Sequence, residues 1–171
     1  MIYIGVDPGI AGAIAFIDGA TGAAKVFDLP LKATERRIDG LALALLMREH
    51  APAAIGGRAY LEQLHARASG GGMQQMGSMM KTVGIILGAI DCTKFPLVEV
   101  TPQKWKGKFG LIDKNPDRKQ KQSERDRMRK AKSLDMARRL FPSLQADLKR
   151  AADDGRAEAL LIAHWGRITQ S

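Results

Sequence analysis

The chain has 171 residues, with 27 Lys and Arg against 18 Asp and Glu and a single cysteine, Cys92. That length suits one domain with a sizeable core and leaves no room for a second large one. One cysteine excludes an internal disulfide and any Cys-based zinc site, which agrees with a reducing compartment. The longest apolar runs, "LALALLM" and "VGIILGAI", fall short of the roughly 20 residues that a bilayer span demands, and "MIYIGVD" lacks the basic head of a signal peptide. The expectation is a soluble intracellular protein with no membrane partner, in which Cys92 is a small buried hydrophobe.

In chain order, "MIYIGVD", "GAIAFID" and "AAKVFDL" are rich in branched residues and predict three strands of an antiparallel meander, joined by turns at "DPGIAG" and "GATG". "ERRIDGLALALLMREH" has helical spacing, with Pro52 beyond it as a stop. "GGRAYLEQ" returns to a strand with Glu62 near its end, and "HARASGGGMQQ" is a glycine-rich loop. "MQQMGSMMKTVGIILGAID" predicts a long helix and "FPLVEVTP" a further strand. "QKWKGKFGLIDKNPDRKQKQ" is expected to be irregular, "SERDRMRKAKSLDMARRLF" to be a charged helix ended by Pro142, and a last helix to start near Asp153. Strands first, then strands alternating with helices, predict an α/β layer fold with a mixed central sheet: a meander plus parallel strands, flanked by helices, in one domain over 1–171.

The charge is unevenly placed. From Lys104 to Arg139 there are 14 basic and 5 acidic residues, so this stretch carries the whole net charge of +9. A clustered basic surface concentrates polyanions and gains affinity by releasing their counterions, which makes nucleic acid the leading partner of a basic, flexible segment at about 104–132. A solubilising surface is the alternative for such a run.

Against this basic background, four acids stand out. Asp7 ends the first apolar strand and Glu62 ends another; a carboxylate there costs desolvation energy unless it is paired or bound to a metal. In a helix starting near residue 154, Asp154 and Glu158 lie four apart on one face. Taken singly, each acid has an ordinary reading. Asp before Pro-Gly caps a turn, Glu62 leaves the sheet as an exposed residue, Asp153 caps the last helix, and acids are common in a first turn. Taken together, close like charges are mutually destabilising unless divalent cations hold them. Mg2+ prefers oxygen ligands, and two such ions, for which Mn2+ would substitute, would offset the four charges. A pair of ions about 3.5–4 Å apart can activate water for attack on a phosphodiester. Other chemistries are poorly supplied. His50, His65 and His164 have no metal-ligand spacing, and neither a Gly-x-Ser-x-Gly elbow nor a phosphate or dinucleotide loop occurs. No organic cofactor is therefore expected.

Four ordered blocks, "YIGVDPGIAGAIAFID", "YLEQ" with the glycine- and methionine-bearing stretch after it, "VTPQKWKGKFGL" and "DDGRAEALLIAHWG", resemble the RuvC-like Holliday junction resolvases, especially their phage and organellar branch. The resemblance covers nearly the whole chain, and its final block is the most specific. It implies a ribonuclease H-like fold, a homodimer, and metal-dependent cutting of two opposed strands of four-way or branched DNA. It points to the cytoplasm or nucleoid of a bacterium or phage-infected cell, or to an organelle. Carried over, Asp7 matches the first-strand acid, Glu62 the acid ending the fourth strand and Glu158 the last acid. The bacterial pattern has a further ligand three residues before that last acid, where this chain has Gly155. Asp154 is the natural substitute and Asp153 the fallback.

Around this cage, Met73 and Met76 would wedge against unstacked bases, with core packing as the plainer alternative. Gly77, Gly84 and Gly88 make the same helix the expected dimer face, with close packing inside the chain as the alternative. Trp105, flanked by Lys104, Lys106 and Lys108, suits an amphipathic anchor near phosphates, and Arg118, Lys119 and Lys121 would lie in a loop that orders on DNA. The competing readings are a DNA-binding module without nuclease activity and, from "IGVDPGIAGAIAF", an actin-like ATPase or sugar kinase, whose two domains the chain is too short to hold.

Overall fold

The computed structural model describes residues 1–63, 73–113 and 121–169, with residues 73–75 by backbone alone. Strands β1 (Ile2–Asp7), β2 (Ala13–Asp18) and β3 (Ala24–Asp28) form the antiparallel meander, and β4 (Gly57–Glu62) and β5 (Leu97–Val100) add to it in parallel, in the order β3-β2-β1-β4-β5. The mixed sheet read from the sequence is thus the one observed. Helix α1 (Gly40–His50) lies between β3 and β4, and α2 (Met73–Thr93) between β4 and β5.

The central strands are covered on both faces, which is why they read as nearly continuous apolar runs. Ile2, Ile4, Val6, Ile14 and Phe16 pack under α1 and α2 with Leu43, Met47, Ile86 and Ile90. Tyr3, Ala13, Ala15 and Ile17 face the other way, toward α4 (Gln122–Leu140) and α5 (Asp154–Thr169). Helix α5 crosses β1 almost in backbone contact, since a Cβ on Gly5 would collide with the carbonyl of Ala159 and the amide of Ala163. Ala157, Ala159 and Ala163, all fully buried, keep that approach narrow.

Three local expectations are corrected. Helix α1 starts at Gly40 rather than near residue 35. Asp39 caps it by accepting from the Ala42 amide at 3.1 Å, and the preceding residues close on a Leu31–Ile38 bridge. Part of the stretch expected to be irregular is helix α3 (Pro102–Lys108), started by Thr101 as N-cap and by Pro102 at the first position, where its missing N–H costs nothing. Cys92, expected in the core, is exposed near the end of α2. Among the described residues, no helix is long and apolar enough to cross a membrane.

Candidate active site

Parallel pairing decides where the first two acids meet. Val6 of β1 is in register with Leu61 of β4, so the next residues, Asp7 and Glu62, leave the sheet side by side at the same end. Asp7 is partly buried, and its pKa is held well above the ordinary carboxylate value. Burial is the main cause, followed by the charges of Glu158 and Glu62 and, more weakly, Asp154, with Lys106 working in the opposite direction. Glu62 is also raised, by burial first and by Glu158, against the pull of Lys106 and a hydrogen bond from Trp105.

The last two acids arrive on α5. Its first turn sits directly on Asp7, since a Cβ on Gly155 would lie 2.8 Å from the Ala11 carbonyl and 3.2 Å from Oδ2 of Asp7. Position 155 therefore has no space for a ligand side chain, and the neighbours supply the acids. Arg156 anchors the same turn to β3 with a two-pronged ion pair to Asp28, at 2.6 and 2.7 Å. Glu158 accepts from Lys106 Nζ at 3.0 Å and from the Ser133 hydroxyl at 3.0 Å. Asp154 pairs with Lys130 Nζ at 2.8 Å, which raises the lysine's pKa through that hydrogen bond.

The two adjacent aspartates have separate fates. Asp153 is buried, and its carboxylate accepts from the backbone N–H, Nε and Nη2 of Arg150 at 2.6, 3.0 and 2.8 Å. Burial opposes its ionisation, but the bonds to Arg150 outweigh it and leave the pKa lowered. Asp153 is thus committed to Arg150, closing the 3-10 turn Ala151–Asp153 instead of capping α5 as expected, and Asp154 is the residue whose charge reaches Asp7.

The structure brings Asp7, Glu62, Asp154 and Glu158 together, but more loosely than a preformed cage. Among the described residues, no three acidic, His or Cys side chains converge as a metal-binding group. The reason is visible in the partners, because Glu62 turns to Trp105, Glu158 to Lys106 and Ser133, and Asp154 to Lys130. The donor chemistry nevertheless fits a hard divalent cation: all four groups are carboxylates, and three of them lie near enough to the enclosed Asp7 for their charges to raise its pKa.

No family model matches the chain, and no curated protein matches it. Solved structures do. Thermus thermophilus RuvC in complex with a Holliday junction substrate aligns over 99% of this chain and 97% of that one, at 16% identity and a TM-score of 0.55. A second Thermus thermophilus RuvC structure aligns over 98% and 96%, at 17% identity and a TM-score of 0.52. The chain has the RuvC fold.

Within this RuvC fold, the residues expected to touch DNA divide. Lys104, Lys108 and Lys121 are exposed, and Met76 is exposed on the first turns of α2. Arg118 and Lys119, and the Met73 side chain, lie outside the described residues. Trp105 is corrected outright: it is fully buried, and its indole N–H donates to Oε2 of Glu62 at 2.8 Å. Lys106 faces inward to Glu158 instead of outward. His164 is a packed histidine, stacked on Phe109 and edge-on to Phe141. Two site residues were missed by reading the sequence, Lys130 and Ser133. The signal was their spacing of three on a helix with few apolar residues, which puts both on one face; a serine buried in so charged a helix is a polar group in need of a partner. With Lys106 and Glu158 they line a cleft of about 500 Å3 between α3, α4 and α5, which opens beside the acids.

Proposed function

We propose that the protein is a homodimeric, Mg2+-dependent endodeoxyribonuclease that resolves four-way or related branched DNA by paired phosphodiester hydrolysis. The observation that carries the reading is the desolvated Asp7 at the end of β1, with Glu62, Asp154 and Glu158 around it, in a chain whose excess positive charge belongs to the adjoining segment. The likeness to a RuvC structure bound to a Holliday junction supports the choice of substrate.

In this reading Asp7, Glu62, Asp154 and Glu158 would hold the ions. When bound, divalent cations supply an activated water and a stabilised leaving oxygen. The chain's own contribution is to set Glu62, Asp154 and Glu158 near the enclosed Asp7, to keep them partly dry, and to pair Lys106 and Lys130 with two of them, while the exposed Lys104, Lys108 and Lys121 are available to the DNA backbone. Lys106 and Lys130, paired here with Glu158 and Asp154, would be free to meet phosphate oxygens if divalent cations neutralised those acids. Opposed cuts need two sites facing opposite strands, which a twofold pair provides. Helix α2 suits that contact: Met76, Met79 and Met80 are exposed, and a Cβ on Gly77, Gly84 or Gly88 would meet nothing within 4 Å among the described residues.

The test is a panel of four-way junction, fork and duplex DNA with wild type and Asp7→Asn in Mg2+. Wild type is expected to make paired nicks at the junction, and Asp7→Asn to bind it equally while nicking it at least about 100-fold more slowly, beyond the loss usual for a mere supporting residue. Retained nicking by Asp7→Asn rejects the site. Salt-sensitive binding with no nicking by wild type in either Mg2+ or Mn2+ identifies a non-catalytic junction binder instead.

A further inference from the structure

Trp105 is the largest of the fully buried side chains, and its only polar atom points out of the core toward the acids. Its indole Nε1 donates to Oε2 of Glu62 at 2.8 Å, a contact between residues 43 apart in the chain. The ring belongs to the same apolar cluster as Val100, Leu111 and Leu161. The helix carrying it starts immediately after β5, with Thr101 as N-cap and Pro102 at its first position. The donor is therefore set by the sheet and the core, and does not swing on a flexible stem.

That fixity matters because of what it holds. A glutamate has two staggered side-chain torsions and a broad terminal one, so an acid leaving a strand end has many orientations available. A hydrogen bond to a charged acceptor is among the stronger ones and restricts it to one. The next residue shows the contrast: Lys106 partners Glu158 at 3.0 Å with a full positive charge, whereas the indole is a donor that carries no charge. Trp105 orients its carboxylate without cancelling the negative charge that would attract a cation.

We infer that Trp105 is a positioning residue, whose indole N–H holds the Glu62 carboxylate in the orientation in which that acid takes a divalent cation. The inference rests on the metal-dependent reading proposed above. It assigns to the "QKWKGK" stretch a second task beside phosphate contact, carried by the one residue of it that DNA cannot reach.

The chain has two tryptophans, so a Trp165→Phe parent leaves Trp105 alone. Biosynthetic replacement of tryptophan by β-(3-benzothienyl)alanine in that parent exchanges the ring N–H for sulfur and keeps the bicyclic shape; Trp105→Phe is the coarser companion. Mn2+ binding is measured by calorimetry without DNA, thermal unfolding without metal, and nicking of a four-way junction as a function of Mn2+. The parent is expected to bind Mn2+ and the sulfur analogue to bind it about 10- to 100-fold more weakly, with the same metal-free unfolding midpoint. Its nicking is expected to recover at high Mn2+, so that half-saturation moves and the maximal rate does not. Equal Mn2+ affinity in parent and analogue overturns the inference and leaves the nuclease reading standing. So does a loss of affinity accompanied by an equal loss of metal-free stability, which would mark Trp105 as core alone. A parent that neither binds Mn2+ nor nicks the junction overturns the nuclease reading itself.

Discussion

The two faces of the sheet are closed in different ways. On one, α5 lies so near β1 that glycine is the residue that fits at position 5, and alanines line the contact. On the other, α1 and α2 stand off on Leu43, Met47, Ile86 and Ile90, and the outward glycines of α2 face open space among the described residues. The difference tracks the chemistry. An acid on a helix can join acids at strand ends only if the helix backbone comes close, because Asp and Glu side chains are short. Small residues on the α5 face bring Asp154 and Glu158 to Asp7, whereas the α1 and α2 face carries bulk and no member of the acid cluster.

If that contrast is right, alanine should be expensive on the α5 face and harmless on α2. Gly5→Ala forces a Cβ into the backbone of α5 and is expected to destabilise by about 3 kcal/mol, at the upper end for overpacking, measured by urea unfolding; a loss below about 1 kcal/mol would mean that α5 can lift away freely. Gly155→Ala meets the Ala11 carbonyl and Asp7 and should cost about 2 kcal/mol. It should also slow junction nicking more than it weakens junction binding, because it pushes α5 off the acids.

Asp7→Asn is expected to act in the opposite sense. Burial, with Glu158, Glu62 and Asp154, holds the Asp7 pKa above its unfolded value even against Lys106, so the unfolded chain releases the proton first. Folding is then penalised as pH rises past about 3.9, and the penalty is complete once the folded-state pKa is passed. Without divalent ions, Asp7→Asn should stabilise at pH 7 by on the order of 1 kcal/mol, and the gain should vanish below about pH 4. Urea melts across that range test it, and a gain that persisted at pH 3 would contradict the charge argument. The smallest effect is expected for Gly84→Ala, which should stabilise the free chain by up to about 1 kcal/mol through helix propensity. If α2 is the dimer face, the same change should weaken self-association in analytical ultracentrifugation.

Much of this arrangement was legible in the sequence because it rests on local pattern. Apolar runs that end in Asp7 and Glu62 mark strands with an acid at the same end, and the spacing of Asp154 and Glu158 puts both on one helix face. The mixed sheet followed from three strands in succession and then strands alternating with helices. The failures are equally particular. Trp105 lies between lysines and reads as surface, yet in α3 it turns inward, because successive residues on a helix point about 100° apart. The same rotation separates Asp153, committed to Arg150, from Asp154, which faces Lys130.

The sequence by itself determined which residues carry charge and where most strands and helices run, α3 and the start of α1 excepted, since those depend on neighbours a few positions away. Tertiary structure alone decided which donor each acid meets: Trp105 for Glu62, Lys106 and Ser133 for Glu158, Lys130 for Asp154. Those partners are separated by 24 to 52 positions along the chain. They are brought within hydrogen-bonding distance by helices packing on a sheet, and the face each helix turns inward is chosen by the fit of the whole core.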